Sequence, residues 1–252
     1  MTSSKSGSGS GKKSSGRGKD ADRRLSKRVK TARGRKTSST LWLQRQLNDP
    51  YVAEARRLGY RSRAAFKLIE LDDKFRLLKP NQTPNQKIVD LGAAPGGWTQ
   101  ICVERLRLAR DTDLHPVIGM DLQAIESMAG AEFLQHDFMD DDAPDLLKSK
   151  LGGPADLVLS DMSPATTGHK STDHLRIMAL SETAAHFASE VLAQGGAFVA
   201  KVFQGGAEND LLNALKRDFT QVRHFKPPSS RSESAETYVV AQGFRGKVGD
   251  LT

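Results

Sequence analysis

From residue 87 onward the chain keeps returning to short apolar runs rich in β-branched residues, and helical patterns separate most of them. The runs lie at 87–91, 116–120, 132–135, 156–159, 197–202, 222–225 and 237–241, with helical periodicity at 98–109, 144–150, 173–193 and 209–219. Strand, helix, strand alternation at this spacing admits few folds, because each crossover must lay a helix back onto the sheet. The last two runs are joined by 226–235 with no helix between them, so they are expected to pair antiparallel. The expectation is an α/β fold: a seven-stranded, mostly parallel sheet with helices on both faces and one reversed strand near an edge. Ligands in such sheets bind outside the carboxyl ends of the strands.

Charge divides the chain before the sheet begins. Residues 1–40 carry 13 Lys+Arg against 2 Asp+Glu, a net of +11, while residues 41–252 carry 25 against 28, a net of −3. The pI of 9.6 therefore belongs to the tail. Built from Ser, Gly, Lys and Arg, residues 1–40 have too little apolar surface to offset the entropy of ordering and are expected to be disordered. Such a block reads as a nucleic-acid arm, with a merely solubilising extension as the plainer alternative. A transit peptide would need an apolar stripe that is missing here. Residues 41–80 read as helical and carry the remaining basic character. Asp49-Pro50 signals an N-cap and first turn, Gly59 a stop, and Ser62 the cap of a second helix over 63–75. The expected organisation is thus an arm (1–40), a helical RNA-binding segment (41–80) and a core (81–246).

Other classes are disfavoured. No apolar run approaches the roughly 18 residues of a membrane span, and no signal-peptide core is visible. Cys102 is the single cysteine and is expected to be packing, which suits a reducing cytoplasm. His115, His136, His169, His174, His186 and His224 show no metal-ligand spacing, so no metal is expected.

The first run ends in DLGAAPGGW, Asp90 to Trp98, where Gly92, Gly96 and Gly97 allow a tight turn and close ligand approach. The spacing is neither G-x-G-x-x-G nor a P-loop, and alone it is a weak signal. Asp121 ends the next run about 25 residues on, where an acid commonly holds ribose hydroxyls. Asp137 follows the third run, where a carboxylate can accept from an adenine amino group. Each acid alone could be only a turn residue. Together, with no Lys or Arg in the loop, they favour an adenosine-type ligand without phosphate, and a cationic sulfonium beside Asp90 or Asp161 suits the acidic lining.

Four charged residues converge on the same end of the sheet. Asp161 closes the fourth run, Lys201 lies inside the fifth, Glu236 precedes the last, and Lys67 sits on the second helical stretch. A lysine within a strand is expensive unless paired. Partial burial and a second nearby cation are what turn a lysine into a general base. The plain alternative is a salt-bridge network without chemistry. A quartet of this kind could remove the proton from a ribose 2′-hydroxyl while aligning it with an activated methyl group.

In order, LWLQRQLNDPYVAEARRLGYRSRAAFKLIELDDKF, DLGAAPGGWTQ, GMDL, HDF, SDMSP, KVF and ETYVVA resemble the FtsJ-type ribosomal RNA 2′-O-methyltransferases, the heat-shock RlmE family. The resemblance spans about residues 40–245. It implies a Rossmann-like fold using S-adenosylmethionine, and methylation of a uridine 2′-OH in the A loop of 23S rRNA on the 50S subunit. Carried over by position, Gly96, Trp98, Asp121, Asp137 and Asp161 become cofactor contacts. Lys67, Asp161, Lys201 and Glu236 become the catalytic tetrad, with Lys201 as proton acceptor. A cytoplasmic monomer is expected. The arm is longer than in short family members, inserts near Thr83 and Asp111 lengthen loops, and 166–170 forms a polar, lid-like stretch. Arg56, Arg57, Arg61 and Arg63 read either as a solvated helix face or as phosphate contacts. Rival functions are a tRNA anticodon-loop 2′-O-methyltransferase and a non-catalytic ribosome-assembly factor.

Overall fold

A computed structural model describes residues 43–44, 46–80, 82–83, 85–107, 116–164, 167–203 and 209–246. The basic arm, the insert at Asp111, His115 and Thr166 lie outside the described residues. Residues from Asp49 on form one compact unit. In the separate unit ahead of it, residues 43–44 and 46–48 are helical.

Helix α1 (Pro50–Leu58) starts where the sequence says. Asp49 accepts from Tyr51 N at 3.0 Å, proline takes the first turn, and Gly59 closes the helix at φ 78°. Helix α2 (Ala64–Phe75) follows, but Ser62 does not cap it. No side chain caps α2, and Ser62 Oγ has no hydrogen-bond partner among the described residues. The reason is packing. A Cβ on Gly97 would lie 2.4 Å from Ser62 Oγ, so the hydroxyl fills the space that glycine leaves there, while the Ser62 carbonyl accepts from Ala65 N.

The sheet has seven strands: β1 (Ile88–Leu91), β2 (Val117–Asp121), β3 (Ala131–Gln135), β4 (Ala155–Ser160), β5 (Leu192–Phe203), β6 (Phe219–Phe225) and β7 (Glu236–Phe244). Their order is β3-β2-β1-β4-β5-β7-β6, parallel throughout except for β7, which runs antiparallel to both β5 and β6. The expected reversed strand near an edge is β7. Helices α3 (Gly97–Leu106), α4 (Ala143–Leu151), α5 (Lys170–Val191) and α6 (Asn209–Asp218) make the crossovers. Helix α3 stops short of the expected 109 because Arg107 turns left-handed at φ 61°. Strand β5 begins at Leu192 rather than 197: Leu192 pairs with Ala155, and a register shift restores the ladder at Ala197.

Two cores sandwich the sheet, and the period of two along each strand decides which residue enters which. Val89, Val158, Phe198, Ala200 and Val239 pack with α4, α5 and α6. Ile88, Leu157, Leu159, Val199, Tyr238 and Val240 pack with Leu68 and Leu71 of α2 and Ile101 of α3. By the same alternation Asp90, Asp161, Lys201 and Glu236 belong to the face covered by α2 and α3. Helix α2 thus brings Lys67 to them from above. Cys102 is buried in this second core, and burial pushes its thiol well above the ordinary value.

Candidate active site

The four charged residues meet. Lys201 Nζ lies 2.7 Å from Asp161 Oδ1 and donates to the Asp161 main-chain oxygen at 2.8 Å. Lys67 Nζ lies 2.7 Å from Glu236 Oε1 and 4.0 Å from Asp161 Oδ2. Glu236 Oε2 stands 3.9 Å from Lys201 Nζ, which closes the square. The side chains are 7–16 % exposed, with the two lysines the deepest. Two buried cations facing two buried anions offset much of each other's cost of leaving water, whereas removing one partner would leave an uncompensated charge costing several kcal/mol.

A fifth member sits at the centre. Tyr238 is fully buried, donates its hydroxyl to Asp161 Oδ1 at 2.6 Å and accepts from Lys67 Nζ at 3.2 Å. Burial, with the nearby charges of Asp161 and Glu236, pushes its phenol well above the ordinary value, so it stays a neutral donor. Burial also pushes the Asp161 carboxyl up, but Lys201 and Lys67, together with the hydrogen bonds from Lys201 and Tyr238, outweigh it and hold the group below its ordinary value. Sequence reasoning missed Tyr238. The signal available was its place two residues after Glu236, which puts both side chains on one face of a strand.

Glu236 is held from the other side. Ser230 Oγ donates to Glu236 Oε1 at 3.1 Å, and the loop that carries it is tied to α2, with Ser229 N and Oγ donating to Glu70 at 2.9 and 2.7 Å. Arg231 reaches Asp49 at 3.3 Å, and Arg63 lies 2.9 Å from the same carboxylate while also donating to Ser229 O. Arg63 is therefore a structural tie, and Arg57 pairs with Glu54 at 2.5 Å. Of the four arginines read as one face, Arg56 stands exposed with no such tie among the described residues.

The glycine loop opens beside the quartet. Asp90 is fully buried; Thr99 Oγ1 donates to its Oδ2 at 2.7 Å, and its Oδ1 has no partner among the described residues. Burial lifts the Asp90 carboxyl to about 7; the Thr99 hydrogen bond pulls it down, and the charges of Asp161 and Asp121 push it up. Gly92, at φ +75°, passes 2.8 Å (measured from a would-be Cβ) from the backbone of Met162, so no side chain fits. Asp121 accepts from Ala94 N at 3.0 Å and Gln123 N at 2.9 Å, and Asp137 accepts from Met139 N at 2.9 Å. Both acids thus also shape their loops, which follow adjacent strands. Trp98 points inward: it is 3 % exposed, donates to Ala64 O at 2.8 Å and lies 5.6 Å from the Tyr238 ring. What position 98 can offer a ligand is its backbone N–H in the first turn of α3.

A mouth lined by carboxylates, with an orphaned buried oxygen and bare backbone, fits a neutral nucleoside carrying a cationic group better than a pyrophosphate. Elsewhere, His136 and Asp142 form a 2.8 Å pair with Asp140 close by, a partly exposed group whose ligand atoms lie within 4.8 Å of one another. A separate cleft of about 420 Å³ lies at the opposite end of α2 among Asp72, Arg76, Lys79 and Arg105, away from this chemistry. No helix among the described residues is long and apolar enough to cross a membrane.

Parallel strands ending in an acidic mouth, one reversed strand beside the edge and a buried ionic square next to that mouth make up a Rossmann-like fold of the methyltransferase type. More narrowly, the chain belongs to the FtsJ-like methyltransferases, whose family pattern matches residues 60–244. It is 62% identical over 241 residues to the ribosomal RNA large subunit methyltransferase E of Paramagnetospirillum magneticum, covering 94% of this chain and 97% of that relative. The protein of the same description from Rhodospirillum rubrum is 62% identical over 226 residues, covering 88% of this chain and 82% of its own. Among solved structures, a provisionally assigned ribosomal RNA methyltransferase from Plasmodium falciparum is similar at a TM-score of 0.63 and 33% identity, covering 75% of this chain and 100% of that one.

Proposed function

We propose that this chain transfers a methyl group from S-adenosylmethionine to the ribose 2′-OH of a uridine in the A loop of 23S rRNA, in the large ribosomal subunit, with Lys201 as general base. The observation that carries the reading is the contact of Lys201 Nζ with Asp161 Oδ1, 2.7 Å, at the carboxyl end of β4 beside the glycine loop. The names of the relatives support rRNA of the large subunit as substrate. Uridine, the 2′-oxygen and the A loop come from the family resemblance.

Bound S-adenosylmethionine supplies an activated methyl on a positively charged sulfur. Asp121 would hold its ribose and Asp137 its adenine amino group, and Gly96 and Trp98 would offer main-chain contacts. Asp161 is the acid nearest both the mouth and the base. Lys201, having released the proton it carries in the ionic square, would accept the hydroxyl proton while the methyl group passes from sulfur to the 2′-oxygen and the sulfur leaves as a neutral thioether. Asp161 then holds the ammonium that results. Lys67 and Glu236 keep that carboxylate and amine aligned, which is where in-line displacement gains most. The arm and the helical segment, residues 1–80, serve as the RNA-binding part and residues 81–246 as the catalytic core of a cytoplasmic enzyme. The intact quartet speaks against a non-catalytic assembly factor.

The test is Lys201→Ala with labelled cofactor, presented separately with large-subunit rRNA and with tRNA lacking the modification. Transfer to rRNA by the wild type, its loss in the variant and unchanged cofactor affinity are expected. Full activity of the variant refutes the base, and labelled tRNA in place of rRNA refutes the substrate.

A further inference from the structure

Arg61 lies between α1 and α2, and its guanidinium reaches over the glycine loop. Nη1 donates to Glu126 O at 2.7 Å and to Pro95 O at 3.5 Å, and Nη2 donates to Ser127 O at 2.9 Å. Its own backbone N–H donates to Gln100 Oε1 on α3 at 2.9 Å. Pro95 belongs to the loop after β1; Glu126 and Ser127 belong to the loop after β2, which follows Asp121. A Cβ at Gly96 would stand 2.9 Å from Nη1, so the bare backbone there is what lets the guanidinium lie so close. The Phe133 ring of β3 lies 5.9 Å from the guanidinium carbon.

These contacts separate two roles for a basic residue in this position. An arginine that grips an RNA phosphate presents its planar fork outward, two N–H groups to one anion. Arg61 turns both terminal nitrogens to main-chain carbonyls of its own protein. The planar fork reaches carbonyls of two loops from two separate nitrogens, whereas a lysine would have to reach them from a single ammonium nitrogen. We infer that Arg61 is a positioning residue that fastens the loops after β1 and β2 together as one wall of the cofactor mouth, and that it is not a phosphate contact. The inference rests on the reading of that mouth as the S-adenosylmethionine site.

The full-length chain separates the roles through two substitutions. Arg61→Lys keeps the charge and loses the bridge. It is expected to weaken S-adenosylmethionine binding in calorimetry, and to raise its KM, about tenfold or more, with the KM for rRNA unchanged. Arg61→Gln removes the charge, yet the slope of log Kd against log salt for rRNA is expected to stay as in the wild type. A phosphate contact predicts the reverse: cofactor binding intact in Arg61→Lys and a slope lower by about 1 in Arg61→Gln. Either of those results overturns the inference. Should Arg61→Gln fail to fold, the cofactor KM of Arg61→Lys still decides. A wild-type chain that binds no S-adenosylmethionine overturns the assignment of the mouth, and the inference with it, whereas unchanged variants overturn the inference alone.

Discussion

Tyr238 and Lys201 are register partners in the β5–β7 ladder, and both reach the same oxygen, Asp161 Oδ1, at 2.6 and 2.7 Å. The antiparallel pairing of β7 is what makes this possible. A parallel crossover would have delivered Glu236 and Tyr238 from the far end of the sheet. Instead β7 starts at the mouth, with Glu236 at its first position and Tyr238 two residues further along the same face. Asp161 is thereby fixed by a phenol and an ammonium at once.

Tyr238→Phe removes the hydroxyl and leaves the ring against Trp98. Asp161 and Lys67 each lose a buried partner, so a loss of about 1–3 kcal/mol in unfolding free energy is expected. The kinetic signature separates positioning from bulk stability: kcat is expected to fall at least tenfold while the KM for cofactor holds, since Asp121 and Asp137, the proposed ribose and adenine contacts, are untouched. Steady-state kinetics below the variant's melting range, with denaturant unfolding beside them, check both parts. Unchanged kcat would reduce Tyr238 to a core residue.

Much of this arrangement was legible before any coordinates, and the reason is periodicity. Strand runs have a period of two, so Lys201 inside an apolar run had to face a packed layer, and the acids at strand ends had to meet at one edge. Glycine and proline punctuation likewise placed α1 to the residue. What stayed hidden depends on contacts between distant segments. Ser62 carries a good cap signature, yet Gly97, far along the chain, draws its hydroxyl away. Trp98 reads equally well as a ligand stack or an anchor, and only the Ala64 carbonyl decides where its indole points. Arg61 and Arg63 look like a basic surface because sequence does not reveal which carbonyls or carboxylates will reach them.

The two buried acids near the mouth give opposite pH dependences. Asp90 is raised to about 7 from 3.8, so its contribution to stability is fully present below pH 3.8 and fades as pH rises through about 7. Asp161 is lowered, so its contribution is present above 3.8 and is lost as pH falls below that value. Asp90→Asn keeps an acceptor for Thr99 and removes the titration. Between pH 4 and 8 the stability of the wild type relative to this variant is expected to fall by a few kcal/mol at most. Urea unfolding at several pH values measures it. A flat difference across that range would mean that Asp90 is ionised throughout in the folded protein.

Two left-handed glycines offer a controlled comparison of what the loop after β1 tolerates. Gly59, at φ +78°, has nothing within 4 Å of a would-be Cβ, while Gly92, at φ +75°, would drive that carbon to 2.8 Å from both Cα and N of Met162. Both alanine substitutions carry the left-handed strain of about 1–2 kcal/mol. Only Gly92→Ala adds overpacking, about 1–3 kcal/mol, and its neighbour is main chain, which cannot rotate aside. Met162 directly follows Asp161, so the displacement needed to admit the methyl group moves the carboxylate that Lys201 and Tyr238 hold. Gly59→Ala is therefore expected to melt modestly lower with its kcat intact. Gly92→Ala is expected to melt lower still and to lose turnover even at temperatures where it is fully folded. Thermal unfolding and turnover of the two purified variants test this, and equal turnover would show that the loop after β4 can shift without disturbing the ionic square.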